Sequence, residues 1–136
     1  MTETPFASAK RIVVKTGSAL VAEHGQPRHA WLEKLAFDIV SLRSRGFQII
    51  LVSSGAVALG RRSVGNSVSN RLDQKQAAAA IGQLRLMSAI GRAFEPHDVT
   101  IGQALLTLGD TENRRRWLNA RATLETLLEI GTVPVI

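Results

Sequence analysis

The stretch IILVSSGA, residues 49–56, decides the fold that we expect for this chain. It closes an apolar run at 47–52, which predicts a strand covered on both faces, as strands are in parallel sheets. The strand then breaks into two serines, a glycine and an alanine, and a helical pattern follows. Such a turn presents hydroxyls and helix N-terminal N–H groups, which together favour binding of an anion.

The segments around this stretch alternate between strand and helix patterns. A β-branched run predicts a first strand at 11–15, which we expect to be buried, and apolar residues at helical spacing predict a helix at 27–45. Gly46 supplies its stop signal. After Ala56 we expect a short helix and then a mobile surface loop at 60–70, rich in glycine, serine and asparagine.

The second half continues the alternation. Its predicted elements are a helix at 72–94 weakened by Gly82 and Gly91, a strand at 98–106, a helix at 110–130 capped by Asp110 and stopped by Gly131, and a strand at 132–136. The inner side of the helix at 110–130 is predicted to carry Leu118, Leu124, Leu127 and Leu128. The whole pattern predicts a three-layer α/β sandwich with a mainly parallel sheet. The alanine-rich helix at 72–94 fits either a packed core helix or a subunit contact.

Composition restricts the chemistry. The 136 residues suit one domain, and the absence of cysteine excludes disulfides, thiolate zinc sites and cysteine nucleophiles. No apolar run reaches the ~20 residues of a membrane helix, and residues 1–10 look like a flexible leader without a signal-peptide pattern. We therefore predict a cytoplasmic protein. The net charge of +6 suits an anionic partner, either a nucleic acid or a small phosphate or carboxylate ligand.

Two glycine-containing loops are predicted to share one edge of the sheet. Parallel strands place their carboxyl ends along the same edge, where ligands bind, so Gly17 and Ser18 (the first loop) should lie near residues 54–56 (the second loop). Lys15 adds a positive charge beside them. Each loop alone is better explained by a plain turn, but the two together favour a cradle for a phosphoryl group and an acidic substrate.

Four segments in order carry a specific resemblance: VVKTGSALV, IILVSSGAVALGRRSVG, KQAAAAIGQLRLM and the long run GQALLTLGDTENRRRWLNARATLETLLEIGTVPVI. In sequence and spacing they resemble the N-terminal part of the glutamate 5-kinases, within the amino acid kinase family. The resemblance implies phosphorylation of the L-glutamate side chain by ATP with Mg²⁺, which yields γ-glutamyl phosphate and opens proline biosynthesis.

The same resemblance implies roles for six residues. It gives Lys15 the catalytic role of neutralising charge on the transferring phosphoryl group, and it names no metal ligand. The implied phosphate-binding residues are Lys15, Gly17, Ser18 and Gly55, and the implied glutamate-binding residues are Ser54, Gly55 and Ala56. A departure concerns the first loop, because Ala19 stands where the family carries a second hydroxyl residue.

The family pattern continues beyond Ile136 with an Asn-Glu-Asn-Asp segment and a nucleotide-binding half. We therefore expect residues 11–136 to be the glutamate-binding N-terminal part of a kinase domain that ends in mid-domain and is incomplete as a catalyst. A homo-oligomer, product hand-off to glutamate-5-semialdehyde dehydrogenase, and no membrane or nucleic-acid partner are also expected. The alternatives are a non-catalytic assembly or regulatory fragment and a basic nucleic-acid-binding module, for which 4% aromatic residues form a poor stacking platform.

Overall fold

The computed structural model describes residues 6–65 and 71–136. Its elements in chain order are β1 (Arg11–Thr16), α1 (Ser18–Val21), β2 (Ala22–Glu23), β3 (Gln26–Pro27), α2 (His29–Ser44), β4 (Gln48–Ser53), α3 (Ala56–Val64), α4 (Leu72–Phe94), a 3₁₀ turn (Glu95–His97), β5 (Ile101–Gln103), α5 (Leu108–Glu112), α6 (Arg114–Glu129) and β6 (Val133–Val135). Four strands form a parallel sheet in the order β1-β4-β6-β5. The predicted parallel α/β architecture is confirmed.

Strand β4 organises the three layers. Ile49 and Leu51 are fully buried and belong to the same core cluster as residues of α2 and α4, on one face of the sheet. Ile50 is buried on the opposite face, beneath α6, because successive side chains of a strand point to opposite faces. Among the helices in the described ranges, none is both long and apolar enough to cross a membrane.

Several element boundaries follow the sequence closely. The helix predicted at 72–94 is α4, residue for residue. Gly46 (φ +93°) and Gly131 (φ +79°) follow the ends of α2 and α6 in left-handed conformations, which glycine adopts without steric cost. The predicted final strand is β6, and it lies buried between β4 and β5.

Strand β1 is not buried as predicted. It lies at the edge of the described sheet. Val13 is on the same face of the sheet as its register partner Ile50, but α6 does not cover it, and it is 60% exposed. Only the alternate residues Ile12 and Val14 pack against the core cluster. A β-branched run predicts a strand, but the strand's place in the sheet depends on its neighbours.

The loop predicted at 60–70 is partly helical. Helix α3 continues through Val64, and Gly65 (φ +98°) follows it, while residues 66–70 lie outside the described residues. Gly60, which we interpreted as the start of the loop, is a buried residue inside the helix. The strand predicted at 98–106 is also shorter, since β5 holds only its central residues.

The helix predicted from Asp110 is two helices. Thr107 is the first N-cap, and Asp110 completes a capping box three residues later by accepting from the Thr107 backbone N–H. Asn113 then begins α6, because its side chain accepts from the N–H groups of Arg115 and Arg116. The prediction of Leu118 on the inner side is wrong, since it is 46% exposed.

A small hairpin between β1 and α2 was missed. Strands β2 and β3 pair antiparallel around His24 (φ +50°) and Gly25 (φ +71°). Two central residues with positive φ are typical of the tight turns that join hairpin strands. The hairpin returns the chain so that α2 begins beside the carboxyl end of β1, and the Arg28 N–H donates to the Val21 carbonyl at 2.8 Å.

Helices α3 and α4 touch through their backbones. A Cβ at Gly60 would fall on the carbonyl oxygen of Ala78, and a Cβ at Gly82 would fall on that of Ala56. Both glycines are buried, and no other residue fits at either point. The alanine-rich helix is therefore a packed core helix, and Gly82 is a contact point rather than only a weakness.

We predict that Gly60→Ala and Gly82→Ala each lower the free energy of unfolding by about 1–3 kcal/mol or more, because the added methyl group overpacks the helix contact. Gly91→Ala is the matched control in α4. Its Cβ would lie 3.8 Å from the Ile101 Cδ1 atom, an ordinary contact, so it should stabilise by up to about 1 kcal/mol through helix propensity. Urea unfolding measures all three, and equal effects at positions 82 and 91 would contradict the close contact.

An ion pair fastens β1 to α6. The Arg11 guanidinium donates to both carboxylate oxygens of Glu125, at 3.0 and 2.8 Å, and also to the side chain of Gln48. The hydrogen bonds from Arg11 lower the pKa of Glu125 below its ordinary 4.5, and the carboxylate raises the pKa of Arg11. Because the folded-state pKa of Glu125 is depressed, the ionised carboxylate stabilises the fold above the ordinary pKa, and acid removes this contribution.

We predict that Glu125→Gln lowers the free energy of unfolding at neutral pH. The difference in this free energy from the parent protein should narrow as the pH falls below 4.5 and past the lowered pKa of Glu125, because the carboxylate is then protonated. Thermal unfolding of both proteins between neutral and acidic pH measures the difference. Glu129→Gln at the exposed end of α6 is the control. A gap that stays constant with pH would show that the charge of Glu125 is not the cause.

Candidate functional site

The carboxyl ends of the parallel strands lie along one edge of the sheet, which we name the carboxyl rim. Lys15 pairs in register with Val52, and Thr16 pairs with Ser53, so β1 and β4 end at the same level. The Ser53 N–H donates to the Ile136 carbonyl at 2.9 Å, which brings the chain after β6 to the same rim. Both loops were predicted from the sequence to lie at this rim.

The second loop is a sharp turn from β4 into α3. The Ser54 N–H donates to the Thr16 carbonyl at 3.3 Å, and Gly55 then takes φ +121°, a conformation unfavourable for any residue with a Cβ. Helix α3 begins at Ala56, and no described side chain caps it. Its first N–H groups therefore remain free of a side-chain acceptor, as an anion-binding helix terminus requires.

The first loop follows β1. Lys15, Gly17 and Ser18 are exposed, and Gly17 precedes the single turn α1 with φ −77°. A Cβ at Gly17 would meet no described atom within 4 Å. Neither backbone conformation nor packing within the described chain requires glycine there. The backbone at Gly17 is therefore open to the approach of a ligand.

The two loops approach each other at Gly55. A Cβ at this position would lie 3.8 Å from the Ser18 Cα atom and 3.5 Å from the Val21 Cγ1 atom. Val21 is fully buried and anchors the end of α1. The predicted residues of the two loops therefore lie side by side at the carboxyl rim, namely Lys15, Gly17, Ser18, Ser54, Gly55 and Ala56.

Comparison with known proteins identifies the family of this chain. A family model described as "Amino acid kinase family" matches residues 10–136. The chain belongs to the amino acid kinase family. Proteins named glutamate 5-kinase are 56% identical to it in Paramagnetospirillum magneticum over 135 residues, 56% in Caulobacter vibrioides over 134, and 54% in Cereibacter sphaeroides over 130.

These alignments include 98%, 96% and 95% of this amino acid kinase family chain, respectively. The chain spans only 36%, 36% and 35% of the lengths of those relatives. The relatives thus match the chain almost throughout, while most of each relative lies outside the match. Their activity is therefore carried over to this chain as a proposal.

Two arginines that sequence analysis did not single out donate to backbone carbonyls of α1 and α3, the helices that follow the two loops. The Arg28 Nη1 group donates to the Ala19 carbonyl at 3.2 Å and so supports the turn after the first loop. The Arg85 Nη1 group donates to the Leu59 carbonyl at 3.0 Å and ties α3 to α4. Arg85 lies in the segment KQAAAAIGQLRLM, which carries the family resemblance, but no local pattern around either arginine predicts its carbonyl partner, and only the folded arrangement brings them together.

A separate apolar cavity of about 250 Å³ lies away from the two loops of this kinase-family chain, between α6 and the face of the sheet that carries Ile50. Ile50, Trp117 and Leu124 line it, and the Arg11–Glu125 ion pair borders it. The cavity does not include the two loops. Its apolar lining suits packing rather than an anionic substrate, so the loops remain the candidate site.

Proposed function

We propose that this chain forms the glutamate-binding part of a glutamate 5-kinase, which transfers the γ-phosphoryl group of ATP to the side-chain carboxylate of L-glutamate. The close approach of the two loops at the carboxyl rim, where the Ser54 N–H donates to the Thr16 carbonyl, is the observation that carries this proposal. The names of the 54–56% identical relatives support the choice of substrate. Within it we propose residues 11–136 as part of a longer kinase domain, preceded by a leader at 1–10.

The first loop is proposed to handle the phosphoryl group. Lys15 would neutralise the charge that develops on the transferring group, and the Gly17 N–H would donate to a phosphate oxygen. The open space beside Gly17 supports this role, because a phosphate could approach the backbone directly. The exposed hydroxyl of Ser18 would add a donor on the same loop.

The second loop is proposed to hold the acceptor. Ser54, through its exposed hydroxyl, and Ala56 would bind glutamate together with Gly55, whose N–H group would also donate to the phosphoryl group. Because the glutamate carboxylate has an ordinary pKa of about 4.3, it is already an ionised nucleophile at neutral pH. The site then needs no general base, and its task is to bring two anions together in line.

Mg²⁺ is proposed to enter with the phosphates of ATP, where it would neutralise their charge. In residues 6–65 and 71–136, no group of three or more His, Asp or Glu side chains could hold a metal ion. The donors on both loops are a lysine, hydroxyls and N–H groups, which suit phosphate and carboxylate oxygens rather than a cation. We therefore assign no described residue to Mg²⁺. A homo-oligomer and product hand-off to glutamate-5-semialdehyde dehydrogenase stay predictions.

The test is a hybrid protein in which this chain replaces the matching segment of the Caulobacter vibrioides relative. We expect the hybrid to form γ-glutamyl hydroxamate from glutamate, Mg²⁺-ATP and hydroxylamine. A second hybrid, carrying the matching segment of the Paramagnetospirillum relative, controls for the exchange itself. If that control is active and our hybrid folds but forms no product, the proposed function is wrong.

Two substitutions in the hybrid separate the loops. Lys15→Ala should lower kcat by about 100- to 1,000-fold while glutamate binding stays nearly intact, because the lysine acts mainly on the transition state. Ser54→Ala should raise the KM for glutamate more than the KM for ATP. Lys10→Ala, an exposed lysine at the other end of β1, is the control. Unchanged kcat in Lys15→Ala, or a larger effect of Ser54→Ala on ATP, would contradict the assignment of that loop.

A further inference from the structure

A pair of hydroxyl groups lies beneath the two loops, at the last residues of β1 and β4. Thr16 and Ser53 are partners in the strand register, and the Thr16 Oγ1 group donates to the Ser53 Oγ atom at 3.2 Å. Thr16 is only 2% exposed, although Lys15 and Gly17 on either side of it are exposed. The structure therefore buries a polar side chain between two residues of the candidate site.

Each hydroxyl belongs to a residue that leads directly into one loop. Thr16 joins Lys15 to Gly17, and Ser53 precedes Ser54. One further hydrogen bond crosses the same gap, from the Ser54 N–H to the Thr16 carbonyl at 3.3 Å. The Ser53 Oγ group also donates to the carbonyl of its neighbour Ser54 at 3.4 Å, within the segment that enters the second loop. The pair is thus a side-chain connection between the first and second loops.

Packing alone does not account for a hydroxyl at this point. The side chains of β1 that face the same way, Ile12 and Val14, are apolar and pack against the core cluster. Valine has nearly the shape of threonine and would fill the position without burying a polar group, which is costly unless it is hydrogen-bonded. The hydroxyl gains a directional bond to Ser53 that valine cannot make.

We propose that the Thr16–Ser53 hydroxyl pair fixes the spacing between the two loops, so that a phosphoryl donor on the first and a carboxylate on the second meet in line. Both are positioning residues, with no assigned contact to substrate. This proposal rests on the proposed function. It adds a requirement for phosphoryl transfer that neither loop meets alone, because in-line geometry is a property of their separation.

The test is Thr16→Val in the active hybrid. We expect kcat to fall roughly 10- to 100-fold, because a small displacement of reacting groups is enough to cost that much. The KM values for glutamate and ATP should each change less than about threefold, since each loop still binds its own ligand. Thr16→Ser keeps the hydroxyl and should restore most of the lost kcat.

Thr132→Val is the matched control. Thr132 is the other buried polar residue of the described chain. It directly precedes β6, at the amino end of that strand and therefore away from the carboxyl rim. This substitution also replaces a buried threonine by valine, so it reports the general effect on stability of losing a hydroxyl at a buried position. We expect it to leave kcat unchanged, whereas a merely structural role for Thr16 would make the two substitutions behave alike.

Ser53→Ala approaches the bond from its half-buried side and guards against misfolding of Thr16→Val. It should lower kcat in the same way, and the double substitution Thr16→Val with Ser53→Ala should lower kcat no further than the stronger single one. Full kcat in both single variants would overturn the positioning role and leave the kinase proposal standing. Loss of activity in the unsubstituted hybrid would instead overturn the kinase proposal and the positioning role with it.

Discussion

The backbone contact between α3 and α4 is the constraint on which the candidate site depends. Gly60 and Gly82 let the two helices approach until each glycine faces a carbonyl oxygen of the other helix. Helix α3 begins at the second loop, and α4 belongs to the layer that packs on the sheet. The close approach therefore attaches α3 to the packed core and fixes the position of the turn at Gly55. A helix terminus binds a ligand well only when it is held in a fixed position.

The sequence predicted the parts of this arrangement that depend on local chemistry. The apolar run of β4, the long helix α4 and the glycine stops at Gly46 and Gly131 were all correct, because periodicity and left-handed turns are local properties. The meeting of the two loops at one rim was also correct, since it follows from parallel topology alone.

Errors arose where tertiary contacts decide. Nothing local distinguishes the edge position of Val13 from a buried one, and the exposure of Leu118 depends on how far α6 lies from the sheet. Asp110 was given the right type of interaction at the wrong position, because Thr107 is the cap and Asn113 begins a new helix. Thr16 escaped notice because a threonine in a β-branched run looks like an ordinary strand residue.

The strand order has a consequence for how this chain folds. Strand β6 follows the other described strands along the chain, yet it lies between β4 and β5, and β5 pairs with no other described strand. During synthesis on the ribosome, β1 and β4 can pair early, whereas within the described sheet β5 has no hydrogen-bonding neighbour before residues 133–135 are made. Such long-range parallel pairing is slow, so one side of β4 stays unpaired and prone to aggregation until β6 inserts.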